Sequence, residues 1–189
     1  KKISCVALLA AIQLVSAPVA FSAADELQPE QISNAIEQAK KWLIRQQSPN
    51  GTWKSAMRTD ETVVGATALV VLALANAGVD ADKPAMKKAL TWLREQTPTD
   101  TYSVSLQTQA LAMVSPKQDL AILERNTRWL EDRQSSGPGV TGGWSYGVNR
   151  SGADNSNSQF AILGLHEAQR AGVRVNPNVW KLSQKYWEA

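Results

Sequence analysis

The sequence predicts an all-α fold built from helical hairpins in two layers, and three observations carry that prediction. A tryptophan-leucine pair recurs as Trp42-Leu43, Trp92-Leu93 and Trp129-Leu130, with a further aromatic pair, Tyr186-Trp187, near the end of the chain. The tryptophans of these pairs lie 50, 37 and 58 residues apart, a period that suits repeated helix pairs. Between them, amphipathic segments alternate with nearly uniformly apolar ones, and no stretch carries the two-residue alternation of a strand.

The elements follow in order. Residues 1–24 read as a signal peptide: Lys1 and Lys2 form a basic start, and Ile3 to Val15 is apolar apart from Ser4, Cys5 and Gln13. Pro18 breaks the run, and Ser22-Ala23-Ala24 offers small residues for cleavage before Asp25. The run is too short for a comfortable transmembrane span, and Cys5 precedes it rather than follows it, which does not fit a lipoprotein. The expected mature domain is 25–189, exported to the periplasm or secreted, with no integral membrane span after processing. Cys5 is the sole cysteine, so the processed chain has no disulfide and no thiolate metal ligand. Losing Lys1 and Lys2 lowers the formal net charge from +3 to +1, and no single element carries a basic cluster, so no nucleic-acid partner is expected.

Amphipathic helices are predicted at 31–47, 83–96, 117–134 and 177–188. In the first, Ile32, Ala35, Ile36, Ala39 and Leu43 share one face at three- and four-residue steps. Helices of another kind are predicted at 61–77, 102–114 and 155–171. Thr62 to Ala77 has almost no polar face, which implies burial on all sides, and it closes at Gly78, suited to a left-handed cap. Such alternation implies an inner row of helices covered by an outer row. Three inner helices against four outer ones make an incomplete ring. The chain is therefore expected to be part of a longer protein, with further repeats or self-association covering its open ends.

The first repeat reads Ala39, Trp42-Leu43, Gln47, Gly51-x-Trp53, and it resembles the Gln-Trp repeat of squalene and oxidosqualene cyclases; only the basic position departs, being Gln38. The second keeps Lys88, Ala89, Trp92 and Leu93, but Gln96 falls one residue short and no Gly-x-Trp follows. The third keeps Arg125, Trp129, Leu130, Gln134 and Gly142-Gly143-Trp144, with four extra loop residues. Through these motifs the chain is similar to the squalene cyclase and prenyltransferase superfamily, and it resembles the non-catalytic bacterial proteins that carry such repeats. The resemblance implies an α/α-toroid, here a partial one. Gln47 and Gln134 would satisfy backbone groups at hairpin junctions, and Trp42, Trp53, Trp129 and Trp144 are expected to be largely buried there.

The chemistry of that superfamily is not visible in this chain. The resemblance implies an Asp-x-Asp-Asp acid in the cyclases, and the nearest run is Asp80-Ala81-Asp82, read as a solvated turn and helix cap before Pro84. Zinc binding by Asp, Cys and His, as in protein prenyltransferases, is excluded by one histidine and no mature cysteine. A thioester Cys-Gly-Glu-Gln run is also absent. His166 is expected between apolar faces as a structural residue bonded to backbone, with Glu167 pointing elsewhere on the helix. Polar groups recur at the mouths of the inner helices: Asp60-Glu61-Thr62, Asp100-Thr101-Tyr102 and Asp154-Asn155-Ser156-Asn157. Asp, Asn, Ser and Thr there cap helices, and the same groups can form a polar rim able to hold a sugar, a peptide or a cation. The candidate ligand-binding residues are Asp60, Glu61, Tyr102, Gln107, Asp154, Asn155, Asn157 and Gln159. No catalytic residue, metal ligand or cofactor is assigned. The expected function is a module binding an unidentified ligand or protein partner. The alternative is an enzyme of the terpenoid-cyclase or carbohydrate-active class, acting through the inner-helix mouths or through residues outside this segment. N-terminal sequencing of an exported fraction is expected to find a start near Asp25; an intact Lys1 in a membrane pellet would contradict the leader reading.

Overall fold

The computed structural model describes residues 28–54, 60–146 and 152–189, with the side chains of Asp60 and Glu61 outside the description. Among the described residues there are seven helices and no strand: α1 (Pro29–Arg45), α2 (Asp60–Asn76), α3 (Pro84–Arg94), α4 (Thr101–Val114), α5 (Leu120–Arg133), α6 (Asn155–Arg170) and α7 (Pro177–Glu188). The helix alternation read from the sequence stands, with ends displaced by a few residues. Helices α2, α4 and α6 form the inner row, with α4 packed between the other two. Close approach is bought by small residues. A Cβ on Gly65 of α2 would lie 3.2 Å from Ser103 Oγ of α4, and one on Gly164 of α6 would lie 3.0 Å from Ser105 Cα of α4. The outer helices α3 and α5 close the core with Met86, Leu90, Leu93, Leu123 and Leu130, all buried. No described helix is long and apolar enough to cross a membrane.

The Gln-Trp repeats explain how outer and inner helices are joined. In the first, Gln47 Nε2 donates to the carbonyls of Gly51 (3.0 Å) and of Ala85 at the start of α3 (2.8 Å). Trp53 Nε1 donates to the Leu43 carbonyl (2.7 Å) in the last turn of α1, where the helical ladder has tightened to a bond from Gln46 N–H (3.0 Å). Its backbone N–H donates to Thr67 Oγ1 of α2 (3.2 Å). The third repeat reproduces each bond. Gln134 Nε2 donates to Gly142 O and Val179 O (both 3.0 Å), Trp144 Nε1 to Leu130 O (2.8 Å), and Trp144 N to Ser158 Oγ (2.9 Å). The four extra residues do not disturb the clamp, because the loop is pinched off at its base. Ser135 N–H donates to Gly143 O and Gly142 N–H to Ser135 O, just as Ser48 N–H donates to Thr52 O and Gly51 N–H to Ser48 O.

Glycine is required at both bends. Gly51 and Gly142 have φ of 93° and 99°, and a Cβ would meet backbone of the next outer helix, Lys88 O at 2.7 Å and Leu182 O at 2.0 Å.

The middle repeat lacks the Gly-x-Trp and solves the same problem differently. Gln107, buried in the second turn of α4, donates through Nε2 to the carbonyls of Leu93 (2.7 Å) and Gln96 (3.1 Å). Leu93 follows Trp92 as Leu43 follows Trp42, so this amide stands where an indole N–H stands in the other repeats. Asn126 Nδ2 (2.9 Å) and Arg125 Nη2 (3.2 Å) from α5 then hold Gln107 Oε1. Burial pulls the Arg125 guanidinium below its usual range.

Three expectations need correction. Trp42 is 55% exposed, because the clamp uses the second tryptophan of the motif and leaves the first on the outer surface of α1. Helix α1 has no buried residue; Ile32 and Ile36 are exposed, since among the described residues α1 is held only at its C-terminal end, by Leu43 and the clamp. Helix α2 is not covered on all sides, for Leu69 stands open.

By contrast, Trp53 is 4% exposed and Trp144 0%. Urea melts should therefore show a loss of about 3–5 kcal/mol for Trp53→Ala, about 1–3 kcal/mol for Gln47→Ala, and no more than about 0.5 kcal/mol for Trp42→Ala.

Candidate functional site

The polar groups proposed at the inner-helix mouths divide into caps, buried ties and one aromatic cluster. Asp100 precedes α4 with extended backbone and accepts from Ser103 N–H at 2.8 Å. Asp154 does the same for α6, accepting from Asn157 N–H at 2.9 Å. Both occupy the position where a carboxylate satisfies an orphan amide and meets the positive end of the helix dipole. Asp154 also accepts from Ser156 Oγ (2.6 Å) and Asn157 Nδ2 (2.7 Å). Burial pushes its carboxyl upward, but these hydrogen bonds together outweigh that and hold it below the usual carboxylate range. Helix α2 begins at Asp60; the candidate side chains of Asp60 and Glu61 lie outside the described residues.

The remaining candidates do not all meet. Asn157 is fully buried beneath Asp154, whereas Gln159 faces solvent on α6. Asn155 is exposed and accepts from the Tyr186 hydroxyl of α7 at 2.9 Å. Gln107 is fully buried in the α3–α4–α5 junction, so it serves the fold there rather than the rim.

Tyr102 does reach the mouth, and it brings two partners that sequence reasoning missed. Its ring lies 4.6 Å from that of Phe160 and stacks at 5.6 Å on that of Tyr146, which is 62% exposed. The chain reaches this place because Thr101 Oγ1 donates to Ser145 O (2.5 Å), tying the segment after Trp144 across the start of α4. The one local signal was that Tyr146 follows the motif tryptophan by two residues; Phe160 read only as the start of an apolar run. At the starts of α4 and α6, Asp100 Oδ2 and Asn157 Oδ1 are buried acceptors without a hydrogen-bond partner among the described residues. The mouth thus offers aromatic faces, with Tyr146 the most open of them.

Elsewhere, His166 is exposed rather than held between apolar faces, and its Nδ1 lies 3.2 Å from Glu167 Oε1, the carboxylate expected to point away. Asp80 and Asp82 are exposed turn residues, but the cap of α3 is Lys83, without a side-chain bond. Among the described residues no group of three or more His, Cys, Asp or Glu side chains is placed to hold a metal ion.

A family model described as the squalene-hopene cyclase N-terminal domain matches residues 24–116, the stretch containing α1 to α4 and the first Gln-Trp clamp. The chain belongs to the squalene-hopene cyclase and prenyltransferase-repeat superfamily. Its seven described helices agree with an α/α-toroid fragment of that superfamily. No curated protein and no solved structure gives a significant match. Membership fixes the architecture; the chemistry has to be read from the site.

Asp154 supplies a test of the capping account. A carboxyl whose folded pKa is depressed contributes stability above its unfolded pKa, near 3.9 for Asp, and loses it as pH falls through the lower folded value. Asp154→Ala should cost about 0.5–2 kcal/mol at neutral pH, and the difference from wild type should shrink below about pH 4 in acid-titrated denaturation.

Proposed function

We propose that the chain is an exported helical-repeat module that binds a ligand or partner at the aromatic mouth between α4 and α6, rather than an enzyme. One observation carries this reading. Both mouth carboxylates with described side chains, Asp100 and Asp154, are committed to capping, while the adjacent Tyr102–Tyr146 stack remains partly open. A general acid must hold its proton near working pH, which calls for a raised carboxyl pKa; Asp154 is displaced the other way. The partly open aromatic faces suit a sugar ring or an organic cation. The export part of the reading rests on the leader pattern of residues 1–24.

Titration of the processed chain with tetramethylammonium and with methyl glucoside, followed by aromatic proton NMR, tests the binding site. One of the two is expected to shift the Tyr102 and Tyr146 signals, and Tyr146→Ala, a surface change, should abolish the shift. No shift with either probe, or cyclised product from incubation with squalene, would overturn the proposal.

A further inference from the structure

We infer that the outer layer carries a second binding surface, a series of tryptophan-floored grooves that takes an acidic polysaccharide strand. It is independent of the mouth and uses the residues that the clamp leaves over. Three grooves open on the outer helices, each around the first tryptophan of a repeat. Trp92 is flanked by Asn50, Lys87, Lys88, Thr91 and Glu95. Trp129 is flanked by Thr97, Arg125, Arg128 and Asp132. Trp42 is flanked by Gln38, Lys41 and Arg45. The flanking groups recur at fixed offsets from the ring. Gln38, Lys88 and Arg125 stand four residues before it; Lys41, Thr91 and Arg128 stand one before; Arg45, Glu95 and Asp132 stand three after. Each repeat therefore sets a tryptophan among polar or charged side chains at the same three offsets.

The chemistry of the rim selects the occupant. A flat indole bordered by amide, hydroxyl and carboxylate groups matches a pyranose ring, whose C–H face stacks while its hydroxyls donate and accept. The charge selects an acidic strand. The three rims carry six cations, Lys41, Arg45, Lys87, Lys88, Arg125 and Arg128, against two carboxylates, Glu95 and Asp132. The four outer helices together hold eleven Lys and Arg against six Asp and Glu, and α3 has three cations and no acid. The inner helix α4 has no Asp, Glu, Lys, Arg or His at all, so the positive potential belongs to the outer face. Lys41, Arg45, Lys87 and Lys88 have no ion-pair partner within 4.0 Å among the described residues. Since two grooves also carry a carboxylate, a strand alternating acidic and neutral sugars fits better than one charged at every unit. A bilayer fits the Trp92 and Trp129 grooves poorly, because both rings are recessed, whereas Trp42 is 55% exposed and the vesicle comparator decides its case. The guanidinium of Arg133 lies 5.6 Å from the Trp129 ring centroid and takes one of its faces, so the Trp42 and Trp92 grooves carry the proposal.

Hyaluronan oligosaccharides, which alternate uronic acid and neutral amino sugar, serve as the probe. Binding is read by tryptophan fluorescence and calorimetry on the processed chain, with chitohexaose, phosphatidylglycerol vesicles and oligo(dT) as comparators. Long oligosaccharides that span two grooves should bind about a hundredfold more tightly than short ones. Trp42→Ala and Lys88→Glu, both at exposed positions, should each weaken binding about tenfold. Trp92→Ala should do the same, with Trp42→Ala standing in for it if its partly buried ring proves needed for folding. Equal affinity for long and short strands, unchanged affinity in Trp42→Ala and Lys88→Glu, or preference for vesicles or oligo(dT) would overturn the inference. Because Tyr146→Ala leaves these grooves untouched, loss of mouth binding and loss of strand binding are separately readable.

Discussion

The fold depends on how the last carbonyls of each outer helix are satisfied. A helix that ends against another element leaves carbonyls without a partner four residues on, and burying them unpaired costs about 1–3 kcal/mol each. In this chain Leu43, Leu93 and Leu130 stand at equivalent places; the first two accept one backbone N–H each, from Gln46 and Gln96, and all three receive a side-chain N–H from a neighbouring segment. The donor also fixes direction. An indole reaching back from Gly-x-Trp sets where the inner helix begins, and a glutamine reaching forward sets where the next outer helix begins.

The middle repeat shows that the requirement is chemical rather than a matter of motif. With no tryptophan available, an amide from within α4 takes over, and an amide is a weaker space-filler than an indole. It brings its own oxygen, which must then be satisfied, and Asn126 and Arg125 do so. The missing tryptophan thus brings two polar side chains into the core, Gln107 and Asn126, with the partly buried Arg125 bracing them from the surface.

The same division of labour shapes the two surfaces. At the inner mouth, acids are spent on capping, and what remains accessible is aromatic. On the outer layer the second tryptophan of each complete repeat is spent on the clamp, while Trp42 and Trp92, which take no part in it, stand beside cations without an ion-pair partner among the described residues. In each case the structural demand is met first, and the groups left over define what the surface can recognise.

The sequence by itself determined the helices, their two layers and the clamp, because these rest on local periodicity and on a motif whose partners are close along the chain. Gly51 and Gly142 were legible for the same reason, as was the capping by Asp100 and Asp154, three residues from the amides they receive. Only the tertiary structure decided which apolar faces are covered. Leu69 and Ile36 read as core, yet burial is a property of neighbours, and periodicity names a face without naming what packs on it. It also decided the site. Gln107 and Tyr102 are five residues apart on α4, more than a full turn, so one enters the α3–α5 junction while the other turns toward Tyr146 and Phe160, 44 and 58 residues further on. No short-range pattern encodes a meeting of that kind, because it is set by how tightly Gly164 lets α6 approach α4.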